Sequence, residues 1–141
     1  MRDNNSKRAA PAVTAKSLET TYVHLRNNQS AADIEVTPTF WQELGAGKRP
    51  ELDEGRTLMQ FDFTEDWATW ERHPAGDEVV VLLSGKADLI LEVDGREQRV
   101  TLQKPGEFVS VPKGVWHTAR TSTPCSMLFV TPGAGTENRP R

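Results

Sequence analysis

From Gly55 onward, apolar and polar residues alternate with a period of two, in short runs that recur every eight to twelve residues. The runs are 57–63, 67–73, 78–83, 86–93, 96–102, 107–111, 116–121 and 125–131. Successive side chains of a strand point to opposite faces, so this periodicity predicts strands. Turn-forming residues separate the runs at 64–66, 74–77, Ser84-Gly85, Asp94-Gly95, 104–106, 112–114 and Thr123-Pro124. Asp-Gly between two alternating runs is a strong hairpin signal. Eight such strands with no helical pattern between them predict an antiparallel sandwich or barrel.

Upstream the pattern is weaker. Residues 22–25 read as a first short strand, 31–36 are ambiguous, and 39–44 (TFWQEL) have helical spacing that 45–50 cut short. Residues 1–17 carry few large apolar groups and no period. They lack the apolar area to offset an ordering cost of about 1–2 kcal/mol per residue, and are expected to be a flexible tail dispensable for folding. The Gly/Pro-rich stretch 132–141 is expected to be irregular. The expected organisation is therefore an N-terminal tail over 1–17, a single barrel domain over 18–135 and a C-terminal tail over 136–141.

Composition narrows the class. At 141 residues, 36% hydrophobic and 26% charged, with 10 Gly and 9 Pro, the chain has the make-up of one turn-rich soluble domain. The longest near-apolar run, 79–83, is five residues, too short to span a membrane. No apolar segment marks a secretory signal, so a cytoplasmic location is the default expectation. The one cysteine, Cys125, excludes an intramolecular disulfide and a cysteine-based zinc cluster, and reads as a small core residue. Net charge is −3, of which residues 1–17 contribute +3, leaving −6 on the remaining 124. An acidic body argues against a nucleic-acid partner.

Three histidines occur, His24, His73 and His117. His24 has no partner motif and reads as structural. Glu71 and His73 stand two apart on one strand and so share a face, and a tight turn over 74–77 returns Glu78 beside them. The second segment is Gly106-x5-Pro112-x-Gly114-x2-His117, a turn followed by a strand that opens on histidine.

These spacings resemble the cupin superfamily, whose first motif is G-x5-H-x-H-x3–4-E-x6-G and second G-x5-P-x-G-x2-H-x3-N. Here the first reads Glu65-x5-Glu71-x-His73-x4-Glu78-x6-Gly85 and the second ends His117-x3-Thr121, with 20 residues between Gly85 and Gly106. The resemblance covers roughly 65–121 and implies an all-β fold, the double-stranded β-helix or jelly-roll barrel. It also implies a divalent transition metal (Fe2+, Mn2+, Ni2+ or Zn2+) held at the positions of Glu71, His73, Glu78 and His117. Their convergence would bring the ring nitrogens of His73 and His117 within roughly 3–5 Å of each other.

The departure is Glu71, which stands where the family usually has a histidine; Glu65 and Thr121 also replace motif residues. Three readings stay open. As a ligand, Glu71 completes a set of two imidazoles and two carboxylates. As a bystander, it leaves His73, Glu78 and His117, the composition of a 2-His-1-carboxylate triad. If the metal site is lost, Glu71 is a base or hydrogen-bonding group in a metal-free pocket.

Period two puts Trp67, Thr69, Val80 and Ala119 on the same inner face, as a substrate pocket. Arg72 and Arg120 alternate to the other face, so a neutral or weakly acidic small organic substrate with chelating oxygens is expected. Val79, Val81 and Leu83 are apolar yet face outward, which predicts a homodimer, with Trp70 and Trp116 as further cover. The function expected is metal-dependent chemistry on a small organic molecule, oxygenase-type or isomerase/lyase-type, with Glu71 or Glu78 moving protons. The alternative is a non-catalytic small-molecule-binding sensor or accessory protein.

Overall fold

The computed structural model describes residues 13–141. The chain opens with a hairpin of β1 (Thr21–Leu25) and β2 (Ala31–Glu35), then a short helix α1 (Phe40–Gly45) and a 3-10 turn (Pro50–Asp53). The alternating region follows as β3 (Arg56–Phe63), β4 (Thr69–Arg72), β5 (Glu78–Ser84), β6 (Ala87–Val93), β7 (Arg96–Leu102), β8 (Phe108–Val111), β9 (His117–Arg120) and β10 (Cys125–Pro132), and β11 (Glu137–Pro140) closes the chain. Two antiparallel sheets result, ordered β2-β1-β3-β10-β5-β8 and β11-β4-β9-β6-β7. This is the all-β jelly-roll architecture.

Local chemistry explains the register. Val93 pairs with Arg96 across a two-residue loop, and Asp94 and Gly95 take φ of 52° and 75°. Positive φ at both positions is what the turn matching a right-twisted hairpin requires, and Asp-Gly supplies it at least cost. Inward positions of the two sheets then interdigitate. Val80, Leu82 and Leu89 are fully buried, with Leu91, Val111, Ala119, Met127 and Phe129 around them. Each such large side chain contributes about 1.5–3 kcal/mol by leaving water. Strand β7 is an edge, and its charged, exposed residues blunt it against pairing with another chain.

Each of the eight expected runs contains a strand. The ambiguous stretch 31–36 is a strand, paired with β1 from Thr21↔Glu35 to Leu25↔Ala31. The expectation for 132–141 is corrected: instead of an irregular tail, residues 137–140 form β11, paired with β4 from Glu137↔Arg72 to Pro140↔Thr69. Its sequence, ENRP, has no apolar alternation because it lies exposed at a sheet edge, where a proline is tolerated. Of the expected N-terminal tail, 1–12 lie outside the described residues. Residues 13–17 are exposed and outside regular structure, although Lys16 pairs with Asp33 at 2.6 Å.

Trp70 is buried and Trp116 half-buried, and both meet arginines of this chain. The Arg139 guanidinium lies 5.1 Å from the Trp70 ring centre and 4.6 Å from that of Trp116, and Arg72 lies 4.7 Å from Trp116. These contacts, with the Arg72–Glu137 and Arg139–Glu92 ion pairs, fasten β11 to the sheet. His24 is buried, its Nε2 2.7 Å from the Glu54 carbonyl, and Cys125 is a buried core residue.

Candidate metal centre

Three strand ends deliver four side chains to one point. Glu71 on β4 stands opposite His117, the first residue of β9. His73 follows directly after β4, and the turn over 74–77 brings the chain back so that Glu78 opens β5. The second motif is tied to the first: Gly114 N–H donates to the His73 carbonyl at 3.0 Å, and Lys113 N–H to Asp77 Oδ1 at 2.8 Å. Gly114 takes φ of 74° in that turn, a conformation glycine adopts without strain.

One donor atom from each of Glu71, His73, Glu78 and His117 lies within 4.8 Å of all the others. Glu78 is closest, with Oε2 3.2 Å from His73 Nε2 and Oε1 3.0 Å from His117 Nε2. Glu71 Oε1 is 3.7 Å from both nitrogens. Two atoms each about 2.0–2.2 Å from a common ion sit roughly 2.8–4.4 Å apart, from right-angled to opposed placement. All four separations fall in that interval.

Hydrogen bonding supports the fit. The outer nitrogens are engaged: His117 Nδ1 donates to the Val115 carbonyl at 3.1 Å, and His73 Nδ1 meets the Thr136 hydroxyl at 2.9 Å. The first bond fixes the His117 tautomer with its lone pair on Nε2, the usual support for a ligating imidazole. The inner atoms are left over. His73 Nε2, His117 Nε2 and Glu78 Oε1 are buried and make no hydrogen bond among the described residues, despite their short separations. Close approach without hydrogen-bond alignment is what donors aimed at a shared ion show. The other Glu78 oxygen accepts from Thr131 Oγ1 at 2.6 Å. Two imidazoles and two carboxylates suit borderline divalent metals, and the two negative charges match the ion's two positive ones.

Without metal the four groups act on one another. Burial pushes Glu71 up, but His117 and His73 beside it prevail and hold it down at about 2. Burial likewise raises Glu78, and the same two imidazoles bring it below the usual carboxylate range. The histidines mirror this: burial lowers both, yet the Glu71 and Glu78 carboxylates lift His73 to about 9 and His117 to about 10.

Glu71, His73 and Glu78 form the floor of a cavity of about 620 Å³, with His117 buried behind them. Trp67 and Thr69, expected in the pocket, line it, and Trp67 Nε1 has no hydrogen-bond partner. Val80 and Ala119 do not line it and belong to the buried core. On β5 only Glu78 reaches the cavity; Val80 lies two residues deeper, about 6–7 Å along the strand, opposite Phe129. Ala119 lies two residues past His117 and pairs with Leu89. Sequence reasoning missed Thr131, Phe129, Thr136 and the α1 residues Phe40 and Trp41. For Thr131 and Phe129 the signal existed, since Cys125, Met127, Phe129 and Thr131 stand at period two. For Thr136, in a polar Gly-rich stretch, none did.

The sequence matches the cupin domain family over residues 58–131, which hold all four cluster residues. Among solved structures, the chain is similar to a cupin-2 domain containing protein from Shewanella frigidimarina, with 24% identity over 61% of this chain and 71% of that one, at a TM-score of 0.46. A protein from Neisseria meningitidis is 26% identical over 55% of this chain and 74% of that one, at a TM-score of 0.46. An oxalate oxidase in complex with glycolate shares the fold at 15% identity, over 58% of this chain and 45% of that one, with a TM-score of 0.51. No curated protein matches the sequence. With over half its length matched, both sheets in place and both motifs meeting at one cluster, the chain belongs to the cupin domain family.

Proposed function

We propose that this cupin binds one divalent transition metal through His73, His117, Glu78 and Glu71 and acts on a small organic molecule held in the cavity above it. The observation that carries the reading is the convergence of three buried donor atoms, on His73, His117 and Glu78, that no hydrogen bond satisfies. Glu78 and the two imidazoles face one another at 3.0–3.2 Å without hydrogen-bond alignment, and a bound ion would engage all three atoms together.

The four donors divide the work. Glu78 is fully buried, bonded to Thr131 and nearest both imidazoles, so it holds the metal. Glu71 is farther, and its side chain is 26% exposed toward the cavity, so it is the carboxylate able to pass a proton between substrate and solvent. A bound divalent ion supplies Lewis-acid polarisation of substrate oxygens or, as iron, activation of dioxygen. The aromatic wall excludes water around the substrate and orients it.

Oxygenase chemistry is the first reaction class to test, isomerase or lyase chemistry the second. Protein reconstituted separately with iron, manganese, nickel and zinc is screened against oxygen-bearing organic compounds for oxygen uptake and product formation. Turnover with one metal that falls in Glu71→Gln by more than the metal occupancy does supports the reading. Ligand binding without turnover for every metal makes the protein a non-catalytic binder.

The partner we propose is a second copy of the chain. Val79 and Val81 are half-buried, while Leu83 and Phe108, on neighbouring β5 and β8, are 38% and 62% exposed. Sedimentation equilibrium is expected to give twice the chain mass, and a Val81→Glu variant the single mass.

A further inference from the structure

The cavity has aromatic walls and an acidic rim. Phe40, Trp41, Phe61, Phe63, Trp67 and Phe129 all line it. Their rings touch in sequence from the mouth inward: Trp41–Phe61 at 5.6 Å between centres, Phe61–Phe63 at 6.1 Å, Phe63–Trp67 at 5.5 Å and Trp67–Phe129 at 5.9 Å. Trp67 then meets His117 at 6.1 Å, so the series runs from Trp41, 48% exposed, to the floor. Flat apolar ligands stack on such surfaces, and cations are drawn to their faces.

Apart from His73, the ionisable lining is acidic. Asp62, Glu65 and Asp66 stand exposed at the mouth and Glu71 and Glu78 at the floor, and among the described residues no lysine or arginine lines the cavity. A divalent ion at the floor would be neutralised by Glu71 and Glu78, leaving the rim carboxylates to set the sign of the field. A cleft with low-dielectric walls focuses that field. An anionic ligand would meet the Asp62 and Glu65 carboxylates on the way in, whereas Asp66 has the Arg141 guanidinium 3.8 Å from its Oδ2.

We propose that the cavity selects arylalkylamines: an oxygen substituent directed to the floor, the ring between the aromatic side chains, and an ammonium directed to the acidic rim at Asp62 and Glu65. The placement of the oxygen rests on the metal centre proposed above; the placement of the ammonium does not. The observations that point to a ligand are the unpartnered buried atoms of His73 and Glu78 at the floor and the unpartnered Trp67 Nε1 on the wall.

Three phenols that differ in one terminal group test this. Tyramine, para-ethylphenol and phloretate carry a similar two-carbon arm ending in an ammonium, nothing or a carboxylate. Their affinities are measured by quenching of tryptophan fluorescence, on metal-loaded and metal-free protein, at salt concentrations that set the Debye length to about 30 Å and about 3 Å. Tyramine is expected to bind at least about tenfold tighter than phloretate at low salt, with para-ethylphenol between them and the spread shrinking at high salt. The double variant Asp62→Asn/Glu65→Gln is expected to narrow the spread with metal content unchanged. Asp66 is left in place because its Oδ1 accepts from Thr121 N–H. Phloretate binding as tightly as tyramine, or no binding of any of the three, overturns the proposal. Metal content on the same preparations reads the metal assignment separately, because the charge preference is expected in both forms.

Discussion

Thr136 lies outside the matched family segment, yet its hydroxyl is 2.9 Å from His73 Nδ1, so removing that hydroxyl isolates one support of the proposed metal centre. Thr136→Val keeps the shape and deletes the hydrogen bond. Such a bond contributes about 0.5–1.5 kcal/mol net. Because it also fixes the orientation of a ligating imidazole, loss of an outer partner of this kind typically weakens metal affinity about 10–100-fold. The expected effect lies at the low end, about tenfold or 1.4 kcal/mol, since Gly114 N–H still anchors the His73 backbone. The assay is competition between metal-free protein and a chelating dye, with Thr136→Ser expected to restore most of the affinity. Thr136 is itself exposed, so the melting temperature of the metal-free variant should shift little. Affinity unchanged within about twofold, or lost equally in Thr136→Ser, would refute the reasoning.

Other consequences can be measured on the same material. Glu78→Gln is expected to weaken metal binding more than Glu71→Gln, because Glu78 is nearer both imidazoles and fully buried; the reverse order in a metal titration would reassign the two. In the metal-free protein the imidazoles, held at about 9 and 10 against an ordinary 6.5, contribute stability that is full below pH 6.5 and lost as pH rises through 9 to 10. The depressed Glu71 and Glu78 contribute stability present above pH 4.5 and lost as pH falls below it, for Glu71 towards about 2. Denaturant unfolding across pH should therefore place maximal stability of the metal-free form between pH 4.5 and 6.5. Metal binding must displace those protons, so affinity should rise from pH 6.5 to 9 and level off above about 10; affinity independent of pH would count against imidazole ligation.

The sheet framework was legible because burial on one face imposes period two, and Asp94-Gly95 and the proline-glycine turn before His117 punctuate it. The candidate site was legible because its residues match the spacing of the two cupin motifs: Glu71 and His73 before a tight turn, Glu78 after it and His117 in the second. What stayed hidden depended on tertiary position. Val80 has the same parity as Glu78, but parity gives the face and not the depth. Strand β11 carries no apolar alternation because cation–π contacts from Arg139 and ion pairs hold it, which a hydrophobic pattern does not record. Thr136 reaches His73 across 63 residues of sequence, with no local motif to announce it.

The central claim is that His73, His117 and Glu78, with Glu71, form a metal centre. Elemental analysis by plasma mass spectrometry tests it most directly, on protein reconstituted with iron, manganese, nickel or zinc and freed of excess ion, beside a His73→Ala/His117→Ala variant. The account predicts about one ion per chain for at least one metal in the parent and almost none in the variant. Parent protein that retains no more metal than the double variant, with all four ions, would contradict it.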